Sequence, residues 1–225
     1  MRVSEIFYSL QGEGFLVGVP SVFVRLAGCS LRCRWCDTKY AWDEAAGAYY
    51  SVERIVRTVR RWPCNFVVVT GGEPMINPDL ATKSDLPELA NALKACDKHI
   101  TIETAGIAFV PDMPCDLMSI SPKLSNSTPA EPQLAAMHED SRLDIAVLRE
   151  LIDNYSYQLK FVVDTQADLA EIQQTIEEVG NVDTAKVMLM PQAKTRDELL
   201  AKSPMVAEMC KKAGFAFCQR LQLLL

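Results

Sequence analysis

The chain has 225 residues, of which 49% are hydrophobic and 23% charged, with a net charge of −6. That balance excludes a mainly disordered chain, which buries too little apolar surface to offset its ordering entropy. The acidic charge argues against a nucleic-acid grip over the whole surface, because phosphate binding needs a basic face. The length suits one domain, expected over residues 1–225. No window reaches the roughly 20 apolar residues of a membrane span. The opening MRVSEIFYSLQGEG lacks the apolar stretch of a signal peptide. The expected setting is the cytoplasm, with no membrane and no nucleic-acid partner. There the eight cysteines stay reduced.

Residues 22–26, VFVRL, read as a strand. Residues 52–61 have helical spacing, with Ser51 as the cap and Glu53 and Arg54 in the first turn. Residues 66–70, FVVVT, read as a buried strand stopped by Gly71 and Gly72. A helix over 86–95 follows, then strands at 99–103 and 116–120. Residues 126–140, rich in Ser, Pro and Glu, read as a surface excursion. Helices are expected over 145–153, 168–179 and 195–212, with strands at 158–163 and 186–190 between them. The run 215–225 reads as a final strand.

Strands alternating with helices imply right-handed βαβ units around a parallel sheet. A complete (β/α)8 barrel takes about 250 residues, and part of this chain is spent on an N-terminal segment. The expected fold is therefore α/β: an incomplete, TIM-type (β/α)6 barrel with a short N-terminal segment and a C-terminal strand. Function in such folds sits at the C-terminal ends of the strands. The unusual residues fall there.

Directly after the first strand, Cys29, Cys33 and Cys36 make the pattern C-x₃-C-x₂-C. Cubane iron–sulfur clusters are held by cysteine thiolates. Three thiolates on one tight loop hold three irons and leave the fourth open to a substrate. Gly28 lets the chain turn sharply off the strand. The alternative is structural zinc, which takes four ligands, usually as two spaced pairs. No second pair exists in this sequence, and His99 and His138 lack ligand-like neighbours. An isolated cysteine such as Cys64 would have to complete the shell.

Later strand ends carry further candidates. Thr70-Gly71-Gly72-Glu73-Pro74 allows close backbone approach to a ligand, with Glu73 an acceptor for an ammonium group; taken alone it is a strand-to-loop turn. Glu103 closes an apolar strand beside a glycine, which suits a ligand hydrogen bond and equally a solvated strand end. Ser121, Pro122 and Lys123 offer a hydroxyl and a cation, or a surface turn. Met188, Met190 and Pro191 suit an adenine face or ordinary core packing. Gln11 and Glu13 flank Gly12 in the segment LQGEG, where an amide beside a carboxylate can read a pterin-like ring; taken alone the segment is a plain turn. Arg25 shares a strand face with Phe23 and needs an anionic partner, either a protein carboxylate or a substrate carboxylate.

The cysteine spacing after the first strand of a βα-repeat chain resembles the radical S-adenosylmethionine (SAM) superfamily. Taken in order, LQGEG, VFVRLAGC, CRWCDT, TGGEP and SPK are similar to the 7-carboxy-7-deazaguanine synthase family. The resemblance runs from about Val3 to Lys123, then weakly through Lys160 and Pro191. It implies a radical SAM core and a lyase converting 6-carboxy-5,6,7,8-tetrahydropterin to 7-carboxy-7-deazaguanine with loss of ammonia, in queuosine and deazapurine biosynthesis. It also implies a [4Fe-4S] cluster, SAM, Mg²⁺, a homodimer, and an electron donor such as flavodoxin or ferredoxin.

Carried over residue by residue, Cys29, Cys33 and Cys36 would hold the cluster and Thr38 the Mg²⁺. Leu10, Gln11, Gly12, Glu13, Arg25 and Thr70 would bind substrate. Gly72, Glu73, Glu103, Ser121, Pro122 and Lys123 would bind SAM. The implied chemistry is removal of a hydrogen atom from carbon 6 of the pterin, ring contraction, and return of the hydrogen, with no protein acid or base required. One departure is visible. The family usually carries histidine after an Arg-Leu pair near its C-terminus, whereas here Arg220-Leu221 is followed by Gln222. Two rivals stand beside this resemblance. One is a glycyl-radical activating enzyme, which would lack LQGEG and Arg25. The other is a non-catalytic iron–sulfur or zinc module, which would not bind SAM.

Overall fold

A computed structural model of the chain describes residues 1–76 and 85–225. Its strands are β1 (Arg2–Leu10), β2 (Pro20–Leu26), β3 (Ala48–Tyr49), β4 (Phe66–Gly71), β5 (His99–Thr104), β6 (Leu117–Ile120), β7 (Tyr157–Val163), β8 (Val187–Pro191) and β9 (Ala216–Phe217). The helices are α1 (Val52–Val59), α2 (Leu86–Lys94), α3 (Pro132–Ser141), α4 (Ile145–Asn154), α5 (Asp168–Val179) and α6 (Arg196–Ala213). All strands join one sheet in the order β3-β1-β2-β4-β5-β6-β7-β8-β9. From β2 to β9 every neighbouring pair is parallel, whereas β1 and β3 add antiparallel strands at one edge. The six expected parallel strands are β2 and β4 to β8, and the sheet stays open, as in a partial barrel.

Strand alternation sorts the two faces of this sheet. Val22, Val24, Val67, Val69, Ile100, Ile102, Met118, Ile120, Leu159, Phe161, Val187 and Leu189 join one apolar cluster with the helices. The helices contribute Ile55, Leu89, Leu93, Leu151, Ile172 and Val206 to that cluster. Each such side chain, fully buried, stabilises the fold by about 1.5–3 kcal/mol. The opposite face carries the polar side chains among apolar ones: Arg25 lies beside Thr70, Glu103 beside Ser119, and Ser119 beside Gln158, with Val162, Met188 and Met190 on the same side. The helices thus supply stability on the outside, and the inside is free to bind.

Helix ends follow local chemistry. Ser51 accepts a hydrogen bond from Arg54 N, Asp144 from Val147 N, and Thr195 from Glu198 N, each satisfying an orphan donor of the first turn. Helix α1 stops at Val59, two residues before the expected end.

The short N-terminal segment is β1, whose mixed burial hides the strand alternation in the sequence. Two expectations are corrected. Residues 126–140 are not a simple surface excursion: they include most of α3, and Ser127 and His138 within them are fully buried. The expected strand 215–225 pairs only over Ala216–Phe217 and then turns at Leu221–Leu223. There the backbone leaves the sheet because Leu221 N donates to Gly12 O at 2.9 Å instead.

Candidate active site

The cysteine loop leaves β2 through Gly28, whose φ of 105° lies in the region that glycine tolerates best. It is braced from several sides. Gly28 N donates to Ala41 O (2.9 Å), Arg34 N to Ser127 O (2.8 Å), and Glu73 N to Gly28 O (2.8 Å). Gly72 packs so closely on this loop that a Cβ there would overlap the Gly28 carbonyl. His138, which lacks ligand-like neighbours along the chain, is a buried brace. Its Nδ1 accepts from Arg32 N at 3.2 Å, and its Nε2 lies 2.8 Å from Ser127 Oγ, which donates to Leu124 O. Burial lowers the His138 pKa, in keeping with the neutral ring this pattern requires.

Cys33 is buried, and Cys29 and Cys36 are half-buried among Leu31, Trp35, Ala105 and Ile107. Burial pushes the Cys29 thiol up to about 12, and the neighbouring Glu73, Cys33 and Cys36 add to the rise. Burial also raises the Cys33 thiol, partly offset by Lys123. Such thiols ionise when a cationic iron centre replaces their protons. Three thiols on one shielded loop, beside an open cavity, fit a cubane cluster with a free iron position. The zinc alternative does not fit. Structural zinc takes four ligands, and the isolated cysteine that would have to supply the fourth is elsewhere. Cys64 lies before β4, at the opposite end of the strands, where its thiol donates to Pro20 O and Phe66 O.

The three cysteines open onto a cavity of about 340 Å³. Its wall includes Leu10, Gln11, Gly12, Glu13, Arg25, Thr38, Thr70, Gly72, Glu103, Ser121 and Lys123, all expected from the sequence. Glu73 and Pro122 are not in the wall. The Glu73 carboxylate faces β5, accepting from Thr104 Oγ1 (2.7 Å), Ala105 N (2.7 Å) and Met75 N (3.2 Å). Burial raises its pKa in spite of those three donors. Thr38 Oγ1 sits 3.6 Å from Cys36 Sγ. Lys123 Nζ donates to Ser121 O (2.7 Å) and Oγ (3.0 Å) and lies over the Trp35 ring.

The Arg25 alternatives meet in the middle. Its Nε donates to Glu5 Oε1 at 2.8 Å, so a protein carboxylate does hold it. No hydrogen bond engages Nη1 or Nη2 among the described residues, and the guanidinium lines the cavity beside Phe7. Glu5 also accepts from Tyr40 (2.6 Å). Burial would raise its carboxyl, but the bonds from Tyr40 and Arg25 hold it below the usual range.

The charged floor of the cavity is not evident from the sequence. Lys160 lies in a strand buried along its whole length, and its Nζ is 3.0 Å from Glu13 Oε2 and 4.0 Å from Glu103 Oε1. Arg220 Nε (3.3 Å) and Gln222 Nε2 (2.8 Å) both reach Glu13 Oε1. Burial alone would raise the Glu13 carboxyl; Lys160 and Arg220 outweigh it and hold the group at about 2. Burial likewise would lower the Lys160 pKa, and Glu13 and Glu103 reverse that. Gln11 is pinned at both ends, its Nε2 to Glu103 (3.1 Å) and its Oε1 to Glu13 N (3.1 Å). Among the described residues no hydrogen bond engages Glu103 Oε2, since Gln11 and Lys160 both approach Oε1. The one signal in the sequence is the lone lysine in YQLKFVV, since a charge in a buried strand demands a partner.

A family model for the radical SAM superfamily matches residues 24–123. A 7-carboxy-7-deazaguanine synthase of Halobacterium salinarum is 39% identical over all of this chain and 90% of its own length. One from Rhodopirellula baltica is 39% identical over 99% of this chain and 85% of its own. The crystal structure of QueE from Escherichia coli superposes with a TM-score of 0.72, covering 96% of this chain and 92% of that one at 24% identity, which shows a common fold.

Proposed function

The chain belongs to the 7-carboxy-7-deazaguanine synthase family of the radical SAM superfamily, and from that membership we propose how its residues divide the work. The activity is that of a radical SAM lyase, converting 6-carboxy-5,6,7,8-tetrahydropterin to 7-carboxy-7-deazaguanine with loss of ammonia in 7-deazapurine biosynthesis. One observation carries the assignment of roles: the cysteine loop and the polar side chains of the inner sheet face share a single cavity.

Cys29, Cys33 and Cys36 would hold the [4Fe-4S] cluster. When bound, the cluster and SAM supply one-electron reduction and hydrogen-atom abstraction. Gly72, Ser121 and Lys123 would hold SAM beside the cluster, with Glu73 and Pro122 shaping that wall from behind. Arg25 would grip the substrate carboxylate through its unengaged Nη edge, because Glu5 already fixes its Nε. Leu10, Gln11, Gly12 and Thr70 would frame the ring. Glu103, which the family resemblance places among the SAM ligands, has the free oxygen that suits ring N–H donors, while Glu13 anchors the floor. Thr38 offers Mg²⁺ one hydroxyl, so water and substrate oxygens would complete the shell and the ion would polarise the substrate carboxylate. Shielding by Trp35, Leu31 and Met190 would keep water from the reacting centre.

The same reading takes residues 1–225 as one working domain, active as a homodimer in the cytoplasm and reduced by a flavodoxin or ferredoxin. Among the described residues no helix is long and apolar enough to cross a membrane. The test is anaerobic: reconstitute the cluster, add SAM, reductant, Mg²⁺ and 6-carboxytetrahydropterin, and follow products by mass spectrometry. Formation of 7-carboxy-7-deazaguanine with little net loss of SAM is expected. Deoxyadenosine without deazaguanine would mean another substrate. Neither product from a cluster-loaded protein would favour the non-catalytic module.

A further inference from the structure

One side chain stitches the C-terminal segment to the site. Arg220 is only 9% exposed. Its Nε donates to Glu13 (3.3 Å), its Nη2 to Asp37 Oδ2 (2.6 Å), and its Nη1 to the Ala193 carbonyl. Those acceptors come from three separate places: the loop after β1, the cysteine loop, and the segment after β8. The backbone around Arg220 follows the same course. Leu221 N donates to Gly12 O (2.9 Å), Gly14 N to Cys218 Sγ (3.2 Å), and Gln222 fills the space that a Cβ on Gly12 would need. A planar guanidinium offers donors on three edges at once, whereas a lysine ammonium is a single point on a flexible stem.

We propose that Arg220 is a positioning residue for this reaction. It sets the wall formed by residues 11–13 against the cysteine loop, so that the cavity has its substrate-binding shape before substrate arrives. The proposal rests on the reading of the cavity as a pterin site. Arg220 acts through Glu13 and Asp37, and its bond to the Ala193 carbonyl fixes the plane of the guanidinium between them. Without it the C-terminal segment holds the loop after β1 only through Leu221 N, Cys218 and Gln222. Substrate binding must then order the wall as well, which raises KM. A loosely held substrate also leaves the SAM-derived radical to take a hydrogen atom from another C–H donor, so SAM and an electron from the supplied reductant are consumed without product.

Arg220→Lys and Arg220→Met test this, with Arg149→Met as the control. Arg149 also donates to backbone carbonyls, of Val179 (2.9 Å) and Glu178 (2.8 Å), and it does not line the cavity. Amide hydrogen exchange is measured on substrate-free protein in peptides covering residues 10–16 and 216–225. KM, kcat and deoxyadenosine released per deazaguanine are measured on cluster-loaded protein. Both Arg220 variants should exchange faster in both peptides, raise KM by about tenfold with a smaller change in kcat, and release more deoxyadenosine per product. The lysine variant should not rescue, and Arg149→Met should match wild type on every readout. Wild-type exchange in residues 10–16 of the Arg220 variants overturns the proposal, as does an unchanged KM. If wild type makes no deazaguanine while the exchange result holds, the substrate reading fails and the coupling of the two segments stands.

Discussion

Replacing Lys160 by methionine keeps most of the side-chain volume and removes one charge from the floor of the cavity. Lys160 is 3% exposed, and its ammonium is shared between Glu13 at 3.0 Å and Glu103 at 4.0 Å. Removing one partner of a buried ion pair costs about 3–5 kcal/mol. Although burial alone would raise it, the Glu13 carboxyl is held at about 2 against an ordinary 4.5, by Lys160 first and then by Arg220 and Gln222. Because those two donors remain in the variant, the lower end is expected: a loss of about 3 kcal/mol, or roughly 6–12 °C in Tm for a chain of this size. The pH dependence has a definite sign. A carboxyl with a depressed folded pKa stabilises fully above its unfolded value of 4.5, and that contribution fades as pH falls through about 2. The Tm gap between wild type and Lys160→Met should therefore hold steady between about pH 7 and pH 5 and shrink below about pH 4. Circular-dichroism melts of anaerobically prepared proteins, at matched scan rates, read it directly. A gap under about 2 °C at neutral pH, or one that stays unchanged into acid, refutes the buried-pair argument.

Three further outcomes are expected. Cys33→Ala should lose iron content and activity together; a cubane EPR signal with turnover in that variant would contradict the ligand assignment. Arg25→Ala should lose turnover of the pterin by about 100-fold or more while still cleaving SAM, since a desolvated charge pair with substrate is worth several kcal/mol; wild-type turnover would sink the carboxylate role. Gly72→Ala should lower the urea midpoint by the equivalent of about 1–3 kcal/mol, because the new methyl meets the Gly28 backbone rather than a movable side-chain end. An unchanged midpoint would show that the close approach of the two loops is not required.

The parts of the site that lie within one loop are legible in the order of residues alone. Cys29, Cys33 and Cys36 are close in sequence and must be close in space. Gly71 and Gly72 mark a strand end whatever surrounds them. The inward set Arg25, Thr70 and Glu103 follows from alternation along strands whose other face is apolar. The C-terminal run misleads because residues 215–225 have the apolar composition of a strand but find better hydrogen-bond partners at Gly12 and Glu13 than at the edge of β8. His138 and α3 are obscured for a related reason: a polar composition describes the residues, and not the pocket of Leu124, Ser127 and Arg32 that receives them.

The sequence by itself determined the alternating strands and helices, the cluster-type cysteine loop, and the family resemblance, because each depends on periods and spacings of a few residues. Only the tertiary structure decided which charges meet. Arg25 reaches Glu5 twenty positions away across an antiparallel pair, Lys160 reaches Glu13 across 147, and Arg220 reaches the same carboxylate across 207. Pairings at that range are set by strand order and by where the chain turns back over the cavity. A buried charge makes known in sequence that it needs a partner, but the partner is chosen by the fold.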